Sequence, residues 1–288
     1  MCIIIYMFSC VSTDVFLVVR FTGGVILIFW QQLLIVCPLV FFAGLVDSIA
    51  GGGGIISLPA YHAAGVLPHM ALATNKFASF CGTSVSTARF IKSGKIKFKA
   101  ALASVPAALF GSFLGTKLAL VASETVLRYF LIVFLPIAAV FILRSKNFKE
   151  EGFPVPLPDS KMLLLSGLAG LIIGAYDGFF GPGTGTFLIV IFNTVIGFDI
   201  LTASGNAKAI NWSSNCASLV TFLLAGQVVF SLAIPAAICG ICGNYIGSGL
   251  ALKKGMRVVK PILIVVLILL LIKIGLDALE QFHIFALI

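Results

Sequence analysis

Charge is scarce in this sequence. Only 10% of its 288 residues are charged and 60% are hydrophobic, with a mean hydropathy of +1.16. A water-soluble domain carries about a quarter charged residues, so a soluble globular enzyme is excluded by composition. The net charge of +9 does not restore a nucleic-acid role, because the basic residues fall in short loops between apolar runs, as the positive-inside rule places them. Catalytic signatures are missing as well. Neither HExxH nor GxSxG occurs, and the longest glycine run lacks the Lys-Ser/Thr that completes a phosphate loop. Gly181-x-Gly183 matches part of a dinucleotide fingerprint without the soluble βαβ unit that fingerprint requires. The three histidines, His62, His69 and His283, sit at segment ends or in the tail, so no metal site and no cofactor are expected. The seven cysteines are odd in number and scattered, which argues against a disulfide framework. Cys239-x-x-Cys242 lies inside an apolar run and reads as small packing residues.

What is present is a series of membrane-length apolar segments, about 20 residues per crossing. Val25–Ile49, Ala71–Ile91, Phe98–Val121 and Thr125–Leu143 read as spans, with a shorter segment at Gly54–Val66. After the one long polar stretch, Arg144 to Lys161, come Met162–Phe180, a short Phe187–Ile200, and Ala203–Ala225, Val228–Leu250 and Val258–Leu276. Residues 1–24 form an N-terminal extension. Asp14 and Arg20 interrupt it and no basic run precedes it, so a cleaved signal peptide fits poorly. An additional helix and an upstream start remain as its two readings.

The second half replays the first. Asp47 and Asp177 lie 177 − 47 = 130 apart, and each is followed four residues later by a glycine, Gly51 and Gly181. Lys76 and Lys208 lie 208 − 76 = 132 apart, as do Gly94 and Gly226, and the GxxxG pairs Gly111/Gly115 and Gly243/Gly247. Equivalent loops differ in charge: the loop after Ala71–Ile91 is strongly basic and its counterpart at Gly226-Gln227 uncharged, whereas the loop of Lys253, Lys254, Arg257 and Lys260 is strongly basic and its first-half counterpart around Lys117, Glu124 and Arg128 mixed. Inverted repeats produce this pattern under the positive-inside rule. The expected fold is therefore an all-α polytopic membrane protein of two homologous, inverted transmembrane repeats with glycine-broken segments. The first repeat is 25–143, the cytoplasmic linker 144–161 and the second repeat 162–288.

The candidate site follows from the breaks. Gly51, Gly52, Gly53 and Gly54 cannot hold a regular helix, since each glycine costs about 1 kcal/mol relative to alanine. A broken helix at membrane depth is tolerated where it lines a cavity or is buried in protein. The freed amides and the positive end of the following short segment suit an anion. Gly181, Gly183 and Thr184 repeat the arrangement, with Gly185 and Thr186 beside them. Lys76 and Lys208 supply charge, and Asn75, Asn211 and Asn215 supply hydrogen bonds, together with Thr74. Ionisable residues inside spans mark functional sites by default, and Asp47 and Asp177 are assigned to coupling or gating. The competing reading is that each lysine is paired with an acid only to lock the fold. Trp212 either stacks on a substrate or packs. The GxxxG pairs are read as helix-packing positions.

These residues resemble the sulfite exporter family called TauE/SafE. The likeness rests on DSIAGGGGIISLPAY followed by ALATNKFASFCGTSVSTARFIKSGKI. The second half supplies DGFFGPGTGTFL followed by ASGNAKAINWSSNCASLVTFLLAGQV. It extends from about residue 30 onward. The resemblance implies a multi-pass transporter of the bacterial inner membrane with two homologous halves, moving a small sulfur-containing or organic anion. The expected partners are that anion and the lipid bilayer, with a homo-oligomer open and nucleic acid excluded. Proton-coupled secondary transport is the leading functional reading, and a non-transporting membrane scaffold or assembly factor is the alternative.

Overall fold

A computed structural model describes residues 29–123, 151–153, 157–255, 257–266, 268–269 and 272. Among the described residues the regular structure is entirely helical. The elements are α1 (Phe29–Ala50), α2 (Gly54–Ala63), α3 (Pro68–Lys92), α4 (Phe98–Val121), α5 (Asp159–Phe179), α6 (Thr184–Val190), α7 (Ile200–Leu224) and α8 (Phe230–Lys254). A π-helical turn, Ile191–Val195, extends α6, and residues 257–266 are helical. The N-terminal extension 1–24, the expected span Thr125–Leu143 and most of the linker lie outside the described residues.

The helices begin where local chemistry directs them. Pro68 opens α3 after an extended Leu67, as proline's fixed φ favours at a first helical position. The Asp199 side chain caps α7 by accepting from the amides of Leu201 and Thr202 at 3.1 and 3.0 Å. α5 begins at Asp159, inside the polar stretch Arg144 to Lys161. Pro158 caps α5, and Asp159 sits in its first turn, where a negative charge meets the positive helix end. Lys99 reaches Asp159 at 2.5 Å from the base of α4.

α1, α4, α5 and α8 are long and apolar enough to cross a membrane. Their outward faces carry exposed Leu34, Phe42, Leu102, Leu118, Leu164, Ile172 and Ile238, a surface that suits acyl chains and would be an aggregation hazard in water. α3 and α7 match them in length, at 25 residues each, but are too polar to join that set. Their polar residues face inward instead: Thr74, Asn75, Lys76, Thr83, Ser86 and Thr87 in α3, and Asn206, Lys208, Asn211, Ser214, Asn215 and Ser218 in α7, are all buried. The apolar helices thus shield two polar ones.

Helix directions follow from the contacts. α3 and α7 cross antiparallel, since Lys76 meets Asn215, Ser84 meets Trp212 and Thr87 meets the Lys208 carbonyl. α1 and α8 run parallel at glycine contacts. A Cβ on Gly243 would lie 2.1 Å from the Phe41 carbonyl oxygen, and one on Gly247 would lie 2.4 Å from that of Leu45. α4 and α5 do the same: a Cβ on Gly111 would lie 2.3 Å from the Leu171 carbonyl oxygen, and one on Gly115 would lie 2.0 Å from that of Ala175. The partner positions stand 171 − 41 = 130 and 175 − 45 = 130 apart. Both GxxxG pairs are therefore places where backbone meets backbone.

Candidate functional site

The two glycine-rich segments meet in the interior. α1 ends when Gly51 turns to φ +72 and donates to the Asp47 carbonyl at 2.8 Å. A Cβ on Gly51 would lie 2.2 Å from the carbonyl carbon of Gly185, so this position requires glycine both for its left-handed φ and for the approach of the other segment. Thr186 fastens the contact by donating to the carbonyls of Ala50 and Gly51, at 2.9 and 3.0 Å. Gly52 is buried against Val266. Gly181 and Gly183 also have positive φ, +99 and +83, and lead into α6.

Both lysines are engaged by acids of the other half. Lys76 Nζ lies 2.8 Å from Asp177 Oδ2, with side-chain exposures of 4% and 3%. Lys208 Nζ lies 3.2 Å from Asp47 Oδ2, with exposures of 0% and 15%, and it also donates to the Asp47 carbonyl. Each pair joins a lysine of one half of the chain to an acid of the other, in keeping with the packing of α1 on α8 and of α4 on α5. The two pairs map onto each other by the same offsets of 130 and 132 residues.

Their surroundings differ. Asp177 is fully coordinated: Ser214 Oγ donates to Oδ2 at 2.5 Å, Thr184 Oγ1 donates to Oδ1 at 2.8 Å, and Lys76 completes the set. Lys76 also donates to Asn215 Oδ1 at 3.1 Å, and Asn215 Nδ2 donates to Asn211 Oδ1 at 3.3 Å. Lys76, Lys208, Asn211, Asn215, Gly181, Gly183 and Thr184 thus belong to the packed interior around the two pairs. Asp47 has a weaker set, Lys208 at 3.2 Å and the Gly53 amide at 3.4 Å. It also lines a small cleft of about 30 Å³ between α1, α2, α3 and α8. Gly53, Gly54 and Asn75, singled out from the sequence, line it too, together with Ser57, Ser79, Thr83, Gly240 and Asn244.

The chemistry of this arrangement is that of a carboxylate site. At each break a carboxylate sits beside the start of a short helix and receives an ammonium from the opposite half. Burying two full charges is costly unless they pair and their remaining valences are filled, a condition met at Asp177 and met only partly at Asp47. Trp212 stacks on Phe80, with ring centroids 6.0 Å apart, and donates to Ser84 Oγ at 2.9 Å, which is the packing reading. Thr74 accepts from the Val229 amide at 3.1 Å. His69 Nε2 lies 3.2 Å from the Ala119 carbonyl oxygen.

Sequence reasoning missed Ser214 and Asn244. Ser214 stands in a Ser-Ser-Asn run beside residues that were singled out. Asn244 is an amide inside the apolar Cys239–Leu250 stretch, and an intramembrane polar residue carries a functional presumption; its position between the GxxxG glycines concealed it.

The family model described as "Sulfite exporter TauE/SafE" matches residues 36–274. The protein named "Probable membrane transporter protein YfcA" of Escherichia coli (strain K12) is 35% identical over 232 residues, covering 78% of this chain and 82% of that protein. "Probable membrane transporter protein ORF9" of Sinorhizobium sp is 34% identical over 238 residues, covering 82% and 90%. A "Probable membrane transporter protein" of Haemophilus influenzae is 30% identical over 241 residues, covering 82% and 92%. No solved structure matches the chain.

Proposed function

The chain belongs to the sulfite exporter TauE/SafE family, and from that premise we propose that it is a proton-coupled secondary transporter of a small anion, sulfur-containing or organic, in the bacterial inner membrane. The observation that carries this reading is the cleft lined by Asp47, the acid paired with the buried Lys208, at a broken helix. A site that holds a carboxylate between an ammonium and a helix-start amide has the charge and the donors to hold another oxyanion.

The repeat architecture supports the same reading. Antiparallel crossing of the equivalent helices α3 and α7 is what inversion about an in-plane axis requires, and the crossed ion pairs and glycine contacts recur at the repeat spacing. The halves are 25–143 and 162–288, joined by a cytoplasmic linker. One pair borders a cleft while its mate is sealed at 3% exposure. Alternating access about a central site predicts this asymmetry, with the roles of the two halves exchanged in the opposite state.

The test is flux of sulfite or an organosulfonate into proteoliposomes, comparing the wild type with Lys76→Ala, Lys208→Ala and the double variant. Loss of flux in Lys208→Ala is expected; unchanged flux in the double variant removes the anion-site argument. The saturated coordination of Asp177 favours a second role for the Lys76 pair, locking the fold. A wild type that moves no anion under any gradient returns the chain to the scaffold reading.

A further inference from the structure

We propose that the Asp47 carboxylate is the built-in counterpart of the transported anion: on loading, Lys208 passes from Asp47 to the anion while Asp47 takes one proton, so each monovalent anion moves with one proton and no net charge. This inference rests on the anion-transport reading above.

Charge balance carries the argument. Lys208 is 0% exposed, and among the described residues its one ion-pair partner is Asp47. The other polar side chains lining the cleft are neutral: Ser57 on α2, Asn75, Ser79 and Thr83 on α3, and Asn244 on α8. The pair therefore sits at zero net charge in a medium of low dielectric. An anion entering alone would leave the site at −1, and burying uncompensated charge is strongly unfavourable. An anion entering with a proton on Asp47 restores zero. The balance is simple: one proton leaves the aqueous cleft for a carboxylate oxygen, Lys208 stays protonated, and its hydrogen bond moves from Asp47 to an oxygen of the anion.

The structure also separates the two acids. Asp177 holds three close donors and is 3% exposed. Asp47 lacks the serine donor, because the position equivalent to Ser214 is glycine (214 − 132 = 82). That absence makes room for Asn244. A Cβ on Gly82 would lie 2.4 Å from Asn244 Nδ2, and one on Gly44 would lie 2.8 Å away. Asn244 is 3% exposed, and its Nδ2 donates to the Gly240 carbonyl at 3.0 Å, which fixes the orientation of the amide. Its Oδ1 is buried without a hydrogen-bond partner among the described residues. A carboxylate cannot satisfy an acceptor, but a protonated carboxyl can. Asn244 lines the same cleft as Asp47 and is the positioning residue whose Oδ1 accepts a hydrogen bond from the neutral acid.

The test uses the full-length protein in proteoliposomes with a luminal pH dye. The probes are methanesulfonate, isethionate and nitrate, monoanions of fixed charge between pH 5 and 8. In the wild type, anion entry acidifies the lumen one for one, and a potassium–valinomycin potential changes the rate by less than about twofold. In Asp47→Asn the anion enters without proton movement, and its rate follows the potential. In Asn244→Leu coupling persists, but the pH of half-maximal flux falls by about one unit, a tenfold loss of proton affinity. A wild type whose flux follows the potential without moving protons overturns the exchange and leaves the anion reading standing. A wild type that carries none of the three anions overturns both. The wild-type stoichiometry decides the matter even if Asp47→Asn does not fold, and an unshifted Asn244→Leu profile removes Asn244 from the mechanism.

Discussion

Replacing Lys76 by methionine should destabilise the protein far more than replacing the pair. Lys76→Met leaves Asp177 buried at 3% exposure beside an apolar side chain. Removing one member of a buried pair costs about 3–5 kcal/mol. Asp177 keeps its bonds from Ser214 at 2.5 Å and Thr184 at 2.8 Å, so the low end, about 3 kcal/mol, is expected. At roughly 2–4 °C per kcal/mol for a chain of this size, thermal unfolding in detergent should fall by about 6–12 °C. Lys76→Met/Asp177→Leu should recover to within about 1 kcal/mol of the wild type, because it removes both desolvated charges together. The hydroxyls it leaves behind have other acceptors, Ser214 on the Asn211 carbonyl and Thr184 on the Gly181 carbonyl. Lys99→Met, which breaks a pair exposed at 71% and 62%, should shift unfolding by less than about 1 kcal/mol. The reasoning fails if Lys76→Met melts with the wild type, or if the double variant is as unstable as the single one.

Gly51→Ala should abolish folding or flux, since its Cβ would lie 2.2 Å from the Gly185 backbone, whereas Gly65→Ala, with φ +78 but open space around it, should cost only about 1 kcal/mol; size-exclusion profiles and flux distinguish the two. Gly247→Leu should separate α8 from α1 and Gly115→Leu should separate α4 from α5, each with loss of the monodisperse peak, because a Cβ at either position would lie within 2.4 Å of a backbone carbonyl oxygen. Reporter fusions at Gly226 and Lys254 should report opposite sides of the membrane; agreement between them would sink the inverted topology.

Sparse charge and membrane-length apolar runs were enough to establish a helical membrane protein, because a bilayer leaves a chain few ways to satisfy its backbone. Phe98–Val121 was legible to its ends for that reason. The glycines marked where α1 stops, and residue offsets matched Asp47 to Asp177 and Lys76 to Lys208 as equivalents. Partnership was not legible. Lys208 meets an acid 161 positions away, and no local periodicity distinguishes that acid from Asp177. Composition makes the two pairings alike; the packing of α1 on α8 and of α4 on α5 selects between them. The same packing decided that Asp177 is sealed by Ser214 and Thr184 while Asp47 borders a cleft, a difference that begins with a serine in one half and Gly82 in the other. The sequence alone determined the solvent, the helices and the candidate polar residues, since these follow from hydropathy and backbone freedom. Only the tertiary structure decided which charge neutralises which, and that Asn244 faces Asp47's cleft, because those outcomes depend on distances between segments the chain separates by a hundred residues or more.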